Sequence, residues 1–210
     1  MFALVESGSI TKMLSGNRGI TIGDLQYPKE IFTLWTKSER EAIGVYEVEM
    51  DTSKRKNEEW YINTNVTYTF GSGKVTGSYG DAAAKDHEDT KWTQKEIDDG
   101  DAPAGATTST VKVKGLKTKL IRDVKAQANQ LLSQTDWYVT RKSEKSTAIP
   151  SNITTWRNGI RSKQAAMETD ITNASDTPAL ETLYTYVNTA DEGDPVVMER
   201  PIGEFPVLGS

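Results

Sequence analysis

The chain has 210 residues, 36% of them hydrophobic and 26% charged, with a mean hydropathy of −0.58. That polar balance predicts small cores, long surface stretches, or surfaces completed by partner chains. Its 25 lysines and arginines stand against 30 aspartates and glutamates, a net charge of −5, and an acidic surface without a basic stripe argues against nucleic acid as a direct ligand. The absence of cysteine excludes disulfides, thiolate zinc sites and cysteine nucleophiles, and leaves the redox compartment unread.

Read in chain order, residues 1–80 predict a small β-rich N-terminal domain with short helices. Phe2–Val5 and Ile10–Leu14 are short apolar stretches around Glu6-Ser-Gly-Ser9 and form a hairpin. Ile20–Ile22 follows the Asn17-Arg-Gly19 turn signal. Pro28 sits at the first position of a short helix running through Ile31, Phe32 and Leu34. Ser38-Glu-Arg-Glu41 has the spacing of a capping box, and Gly44 supplies the stop. Val45–Met50 alternates with period two and reads as a half-buried strand. Asn65–Phe70 and Lys74–Tyr79 flank Gly71-Ser-Gly73 as a second hairpin. The glycine pair is a turn and not a phosphate loop, because no Gly-Lys-Ser/Thr ending or helix follows.

Residues 81–112 read as an acidic, polar linker. Lys85–Asp89 suggests part of a short helix there, with Trp92 docked on a neighbour, and Ala102–Thr110 has almost nothing to bury. Residues 113–190 turn helical. Leu116, Leu120, Val124, Gln127 or Ala128, and Leu131 recur at three- and four-residue spacing. A second helix opens near Ser151 or Asn152, after Pro150, with Ile153, Trp156, Ile160, Met167 and Ile171 on one face and Gln164 as a polar interruption. Joined through Asp136–Val139 and a polar loop, the two predict an antiparallel helical hairpin. A short helix from Thr177 to about Val187 follows. Residues 191–210 contain three prolines and predict an extended C-terminal tail. The fold class expected is therefore α+β.

Leu131-Leu-Ser-Gln-Thr-Asp-Trp137, a loop with Pro150, and Trp156-Arg-Asn-Gly-Ile-Arg161 together resemble the C-terminal segment of bacteriophage tail fibre assembly proteins. In that family a helix ends in a Leu-x-x-Thr-Asp-Trp type of motif, and the next opens with an aromatic–Arg pair followed by an apolar residue and another Arg. The resemblance covers about residues 116–174. The stretches Gly23–Pro28 and Ser38–Gly44 look like N-terminal modules of phage tail-region proteins. The resemblance implies docking to other phage tail or fibre proteins, in several copies, in a virion assembled in the host cytoplasm.

The motif also has a reading of its own. Thr135 or Asp136 accepts backbone amides at the bend. Trp137 closes the open end of the hairpin, worth about 3 kcal/mol by analogy with large-to-small core changes. Arg157 and Arg161, four apart, share one helical face suited to acidic partners. With Trp156 these are the structural and partner-contact candidates.

No catalytic, cofactor-binding or metal residue is expected. The one histidine, His87, lies in an acidic stretch without a nucleophile elbow nearby. The carboxylates are scattered rather than paired as in a glycosidase. Asp98-Asp-Gly-Asp101 lacks the loop spacing and closing glutamate of a calcium-binding EF-hand. Met1–Glu6 is too short and too soon polar for a signal peptide, and no apolar run approaches the roughly 20 residues that span a bilayer. The expectation is a soluble, non-enzymatic structural protein of the tail or tail fibre, with no membrane partner. A fibre assembly chaperone absent from mature particles is the alternative, and an envelope-degrading hydrolase a remote third.

Overall fold

A computed structural model describes residues 1–209 and shows an α+β protein. The chain divides into two compact units, Met1–Ala83 and a second from Ala84 onward.

The first unit begins with the expected hairpin. Strands β1 (Phe2–Glu6) and β2 (Ser9–Leu14) pair antiparallel across a turn in which Ser7 and Gly8 both take positive φ. A two-stranded ribbon, β3 (Ile20–Ile22) and β4 (Leu25–Tyr27), leads into helix α1 (Ile31–Leu34). Pro28 to Glu30 form the turn before that helix instead of its first residues, with the Ile31 amide donating to the Pro28 carbonyl at 3.3 Å. Helix α2 (Lys37–Ala42) is capped by Thr36 and Glu39, not by the Ser38–Glu41 pair expected from spacing. Both pairs fit the capping-box pattern, but Thr36 has the extended backbone (φ −67°, ψ 163°) that a cap needs. Strands β5 (Val45–Asp51), β7 (Val66–Gly71) and β8 (Lys74–Tyr79) follow, with the short β6 (Tyr61–Ile62) between β5 and β7.

The main sheet has the order β2-β1-β5-β8-β7, with β5 and β8 parallel and the other neighbours antiparallel. Alternation along each strand sorts the apolar side chains to its two faces. Leu4, Leu14 and Val45 face one way, where α1 covers them with Ile31 and Phe32. Ala3, Val5 and Val75 face the other, beneath Tyr46, Val48 and Phe70. The sheet curls until β2 and β7 approach, as a half-barrel. Gly44, at φ +78°, takes the sharp turn from α2 into β5, and its carbonyl accepts the Val5 amide at 2.8 Å.

The second unit begins near β9 (Ala83–Ala84). Its first stretch is no bare linker. Strand β10 (Thr90–Lys91) pairs with β11 (Val111–Val113), and between them helix α3 (Gln94–Asp98) carries a Thr93–Glu96 capping box. Lys85–Asp89, expected as part of a helix, is instead irregular chain that caps helix α4 (Leu116–Ser133). The Leu116 and Lys117 amides donate to the Asp86 and His87 carbonyls at 3.0 Å each, and the Gly115 amide to an Asp89 carboxylate oxygen at 2.8 Å. These partners satisfy amides that a helix start leaves unpaired. A side chain at Gly115 would put its Cβ 2.3 Å from the Glu88 carbonyl carbon, so only glycine lets the two backbones approach.

Helix α5 (Asp136–Lys145) follows α4 where a polar loop was expected. Asp136 in its first turn and Lys142 and Lys145 in its last complement the helix dipole, which stabilises a charged, weakly apolar helix. Helix α6 (Ser151–Asn173) starts directly after Pro150, and Ile153, Trp156, Ile160, Met167 and Ile171 are buried on its inner face. It runs antiparallel to α4: Lys117 Nζ reaches the Thr172 carbonyl at 2.9 Å, Lys125 pairs with Glu168 at 3.1 Å, and Arg157 reaches the Leu132 carbonyl at 2.8 Å. Helix α7 (Thr177–Tyr184) is capped by Asp176, whose side chain accepts the Ala179 amide, and ends short of Val187. The Thr177 hydroxyl donates to the Lys85 carbonyl at 2.6 Å, tying this helix to the strap that caps α4.

The tail departs from the extended form expected of it. Strands β12 (Val187–Asn188) and β13 (Met198–Glu199) pair antiparallel, and the chain then folds back to bury Ile202 and Phe205. The prolines limit backbone conformation there, but two apolar side chains three residues apart still find a core.

Candidate functional site

The bend between α4 and α6 brings two of the five candidate residues, Asp136 and Arg157, into contact, and it is pinned differently from the expectation. Arg157, on the inner face of α6, is 7% exposed. Its Nη1 donates to the Leu132 carbonyl at 2.8 Å and to the Thr135 hydroxyl at 2.7 Å, and its Nη2 to an Asp136 carboxylate oxygen at 2.9 Å. The guanidinium thus occupies the C-terminal end of α4, where carbonyls lack helical partners and a cation is favoured. Thr135, itself buried, donates its hydroxyl to the Leu132 carbonyl at 3.1 Å while accepting from Arg157. Asp136 and Thr135 therefore serve Arg157 in place of capping backbone amides. Arginine's planar fork suits this, since one side chain satisfies three acceptors on two successive elements.

Trp137 was expected to close this bend, and that reading is corrected. Its side chain is 51% exposed. Because α5 opens at Asp136, Trp137 lies one step into a new helix and is turned outward while Asp136 turns in toward Arg157. An indole in the corner would displace the guanidinium that serves the Leu132 carbonyl, the Thr135 hydroxyl and Asp136 together, and its single N–H cannot replace those three hydrogen bonds. Outside, Trp137 stacks on Tyr138 with centroids 3.8 Å apart, and the Arg141 guanidinium lies over both rings, at 4.8 and 5.1 Å. The Thr-Asp-Trp motif singled out Trp137, but not its two companions. The signal for Arg141 was its i+3 and i+4 spacing from Tyr138 and Trp137.

The two arginines expected to face acidic partners together do not. Arg157 is consumed internally, whereas Arg161 is exposed and, among the described residues, donates only to Asn158, at 3.5 Å. Arg161 lines an open, polar groove between α4 and α6 with Asn129, Gln164 and Glu168. The Gln164 amide, seconded by the Lys125 ammonium, holds the Glu168 carboxyl below its usual range despite partial burial.

Trp156 is a core anchor. It is 7% exposed, and its indole Nε1–H donates to the Pro206 carbonyl at 2.8 Å. The returning tail is fastened at a second place by Arg200, whose guanidinium lies over the Tyr184 and Tyr186 rings and pairs with Glu204, its Nη2 donating to one carboxylate oxygen at 2.8 Å. The Tyr186 hydroxyl donates to the same carboxylate at 2.6 Å, which pushes the phenol pKa up. Burial works to raise the Glu204 carboxyl, but the Tyr186 and Arg200 hydrogen bonds outweigh it and leave that group below its ordinary range. Composition concealed this latch, since a proline-containing stretch reads as unstructured; the Arg200-x-Ile202-x-Glu204-Phe205 spacing was the available signal.

Among the described residues, no group of three or more histidines and carboxylates is placed to hold a metal ion, and no helix is long and apolar enough to cross a membrane. His87 contributes its backbone carbonyl to the α4 cap. No protein-family model, curated protein or solved structure matches the chain.

Proposed function

We propose that this chain is a non-catalytic structural protein of a bacteriophage tail or tail fibre, acting by docking onto neighbouring tail proteins. The observation that carries the docking part is the Trp137–Tyr138–Arg141 stack on α5, in which an exposed indole rests on a half-buried tyrosine and arginine. Tryptophan, tyrosine and arginine are the side chains that dominate binding energy at protein interfaces. Here they are pre-ordered by stacking, so little rotamer entropy remains to be lost on contact. Behind them the Arg157 clamp fixes the start of α5, which holds the stack on a rigid base. The tail assignment itself rests on the resemblance of Leu131–Trp137 and Trp156–Arg161 to phage tail fibre assembly proteins. Because that likeness is to assembly factors, a fibre assembly chaperone is the second reading.

Quantitative mass spectrometry of purified phage particles and of the lysate they came from separates the two. A virion component is present in the particle at a fixed copy number relative to known tail proteins. A chaperone is abundant in the lysate and missing from the particle, and that result overturns the structural reading.

A further inference from the structure

The returning C-terminal segment behaves as a bound peptide. Phe205 and Pro206 return to the start of α6, where Trp156 holds the Pro206 carbonyl, and with Gln127, Leu131 and Gln134 at the end of α4 they line one groove. The contacts are those of peptide recognition: an indole donating to a main-chain carbonyl, a main-chain amide (Ile202) donating to the Leu183 carbonyl at 3.0 Å, and two buried apolar anchors, Ile202 and Phe205. Arg200 and Glu204 add a charged latch.

What joins this segment to the helices is a hairpin with a wide loop, residues 189–197. Asp191, Glu192 and Asp194 crowd the loop, and none makes an ion pair among the described residues. Like charges at that spacing repel and favour an opened, extended connector. Along the same stretch Val196 is 70% exposed, and Val197 and Met198 are exposed beside it. A solitary chain leaves this apolar row uncovered. Two chains whose opened connectors cross antiparallel about Val196 and Val197 cover it while keeping their acidic stretches apart, and every groove contact is re-formed with the segment of the other chain.

We infer that the α4–α6 groove is a peptide-binding site, and that in the assembled protein it takes residues 200–208 of a second copy. Exchange of an identical element between protomers is a low-cost route to association, because the closed and exchanged forms share the same contacts. The exchange links copies through their tails and leaves the Trp137 stack for other partners. It stands on the geometry of the second unit alone, so it can fail while the tail reading holds.

The chain has no cysteine, which makes an introduced thiol pair an unambiguous reporter. A Cβ built on Gly159 lies 4.0 Å from the Pro206 Cβ, within the span of a disulfide. The Pro206 carbonyl that Trp156 uses is main chain and survives substitution. Full-length Gly159→Cys and Pro206→Cys variants, carrying different tags, are co-expressed, purified through both tags and oxidised. A parallel pair replaces Pro206→Cys with Asp191→Cys in the exposed loop, to report chance collisions.

Exchange predicts a disulfide-linked dimer carrying both tags, in roughly tenfold excess over the Asp191→Cys pair, as a high effective concentration in the groove requires. Peptide mapping places the bond between positions 159 and 206. The double variant, with both thiols in one chain, controls for the groove. If it closes only within single chains and the co-expressed pair gives no excess dimer, exchange is overturned. If neither preparation forms the 159–206 bond, the groove itself is overturned.

Discussion

In Met1–Ala83 apolar residues alternate along strands and bury Leu4 and Val45 on one face of the sheet and Ala3, Val5 and Val75 on the other. From Ala84 onward the apolar stripe of α6 supplies a core, but the corners around it are fixed by polar groups. Arg157 holds the α4–α5 bend, Asp86 to Asp89 hold the start of α4, and Arg200 and Glu204 latch the tail. A core made by alternation tolerates conservative apolar exchange. A corner made by one cation and three acceptors does not, since removing the cation takes three hydrogen bonds from it at once. The difference teaches where each unit is brittle: the first at its turns, the second at its polar junctions.

The largest effect expected is from Gly115→Ala. Its Cβ would meet the Glu88 backbone, which cannot yield as a side chain can, and a loss of roughly 3–5 kcal/mol follows from such a clash. Hydrogen exchange read by mass spectrometry should show protection lost from residue 84 onward, with the β1, β5 and β8 amides still protected. Gly44→Ala is the mirror experiment, because its Cβ would lie 2.6 Å from the Val5 carbonyl oxygen at φ +78°. Protection should then fall in residues 1–83. Equal loss in both units from either change breaks the comparison.

Arg157→Met comes next. Methionine keeps much of the stem's packing but removes the charged hydrogen bonds to the Leu132 carbonyl and the buried Thr135 hydroxyl, and leaves the carbonyl only its Thr135 and Gln134 donors. We expect about 2–3 kcal/mol of destabilisation, read from the urea midpoint; the partly exposed Asp136 contributes little to it. No change in midpoint would show that the clamp is decorative.

A smaller, local effect is set by pH. The Lys112 ammonium, with the Thr93 amide and hydroxyl, holds the Glu96 carboxyl down at about 2 against an ordinary value of 4.5. A carboxyl with a depressed folded pKa gives its full stabilisation above 4.5 and loses it as pH falls toward 2. Lys112 also lies over the Trp92 ring at 4.6 Å, so the Trp92 indole resonance should move across that window. Glu96→Gln should flatten the response; an unchanged profile in the variant would assign the titration elsewhere.

Much of the strand plan was legible because alternation is a local signal: the hairpins at Ser7–Gly8 and Gly71–Gly73 and the stop at Gly44 stand where pattern and turn residues put them. The inner face of α6 was legible for the same reason. Helix α5 was missed because its composition is that of a loop, and only the order of its charges, acid first and base last, marks it as helical. The burial of Arg157 was not legible, since arginine is exposed by default and the acceptors that reward its burial lie 21 to 25 residues away. Trp137 was misplaced by the converse default, that a large aromatic goes inside. The tail was misread because Ile202 and Phe205 make contacts that no local pattern announces.

That outward tryptophan gives the most direct test. Trp137→Ala removes a surface stack worth about 1 kcal/mol or less, so the melting temperature of the purified chain should barely move. Copy number in purified particles, measured by quantitative mass spectrometry against the unaltered chain, should fall severalfold if the stack is a docking surface. A Trp137→Ala chain incorporated at the unaltered copy number would contradict the account.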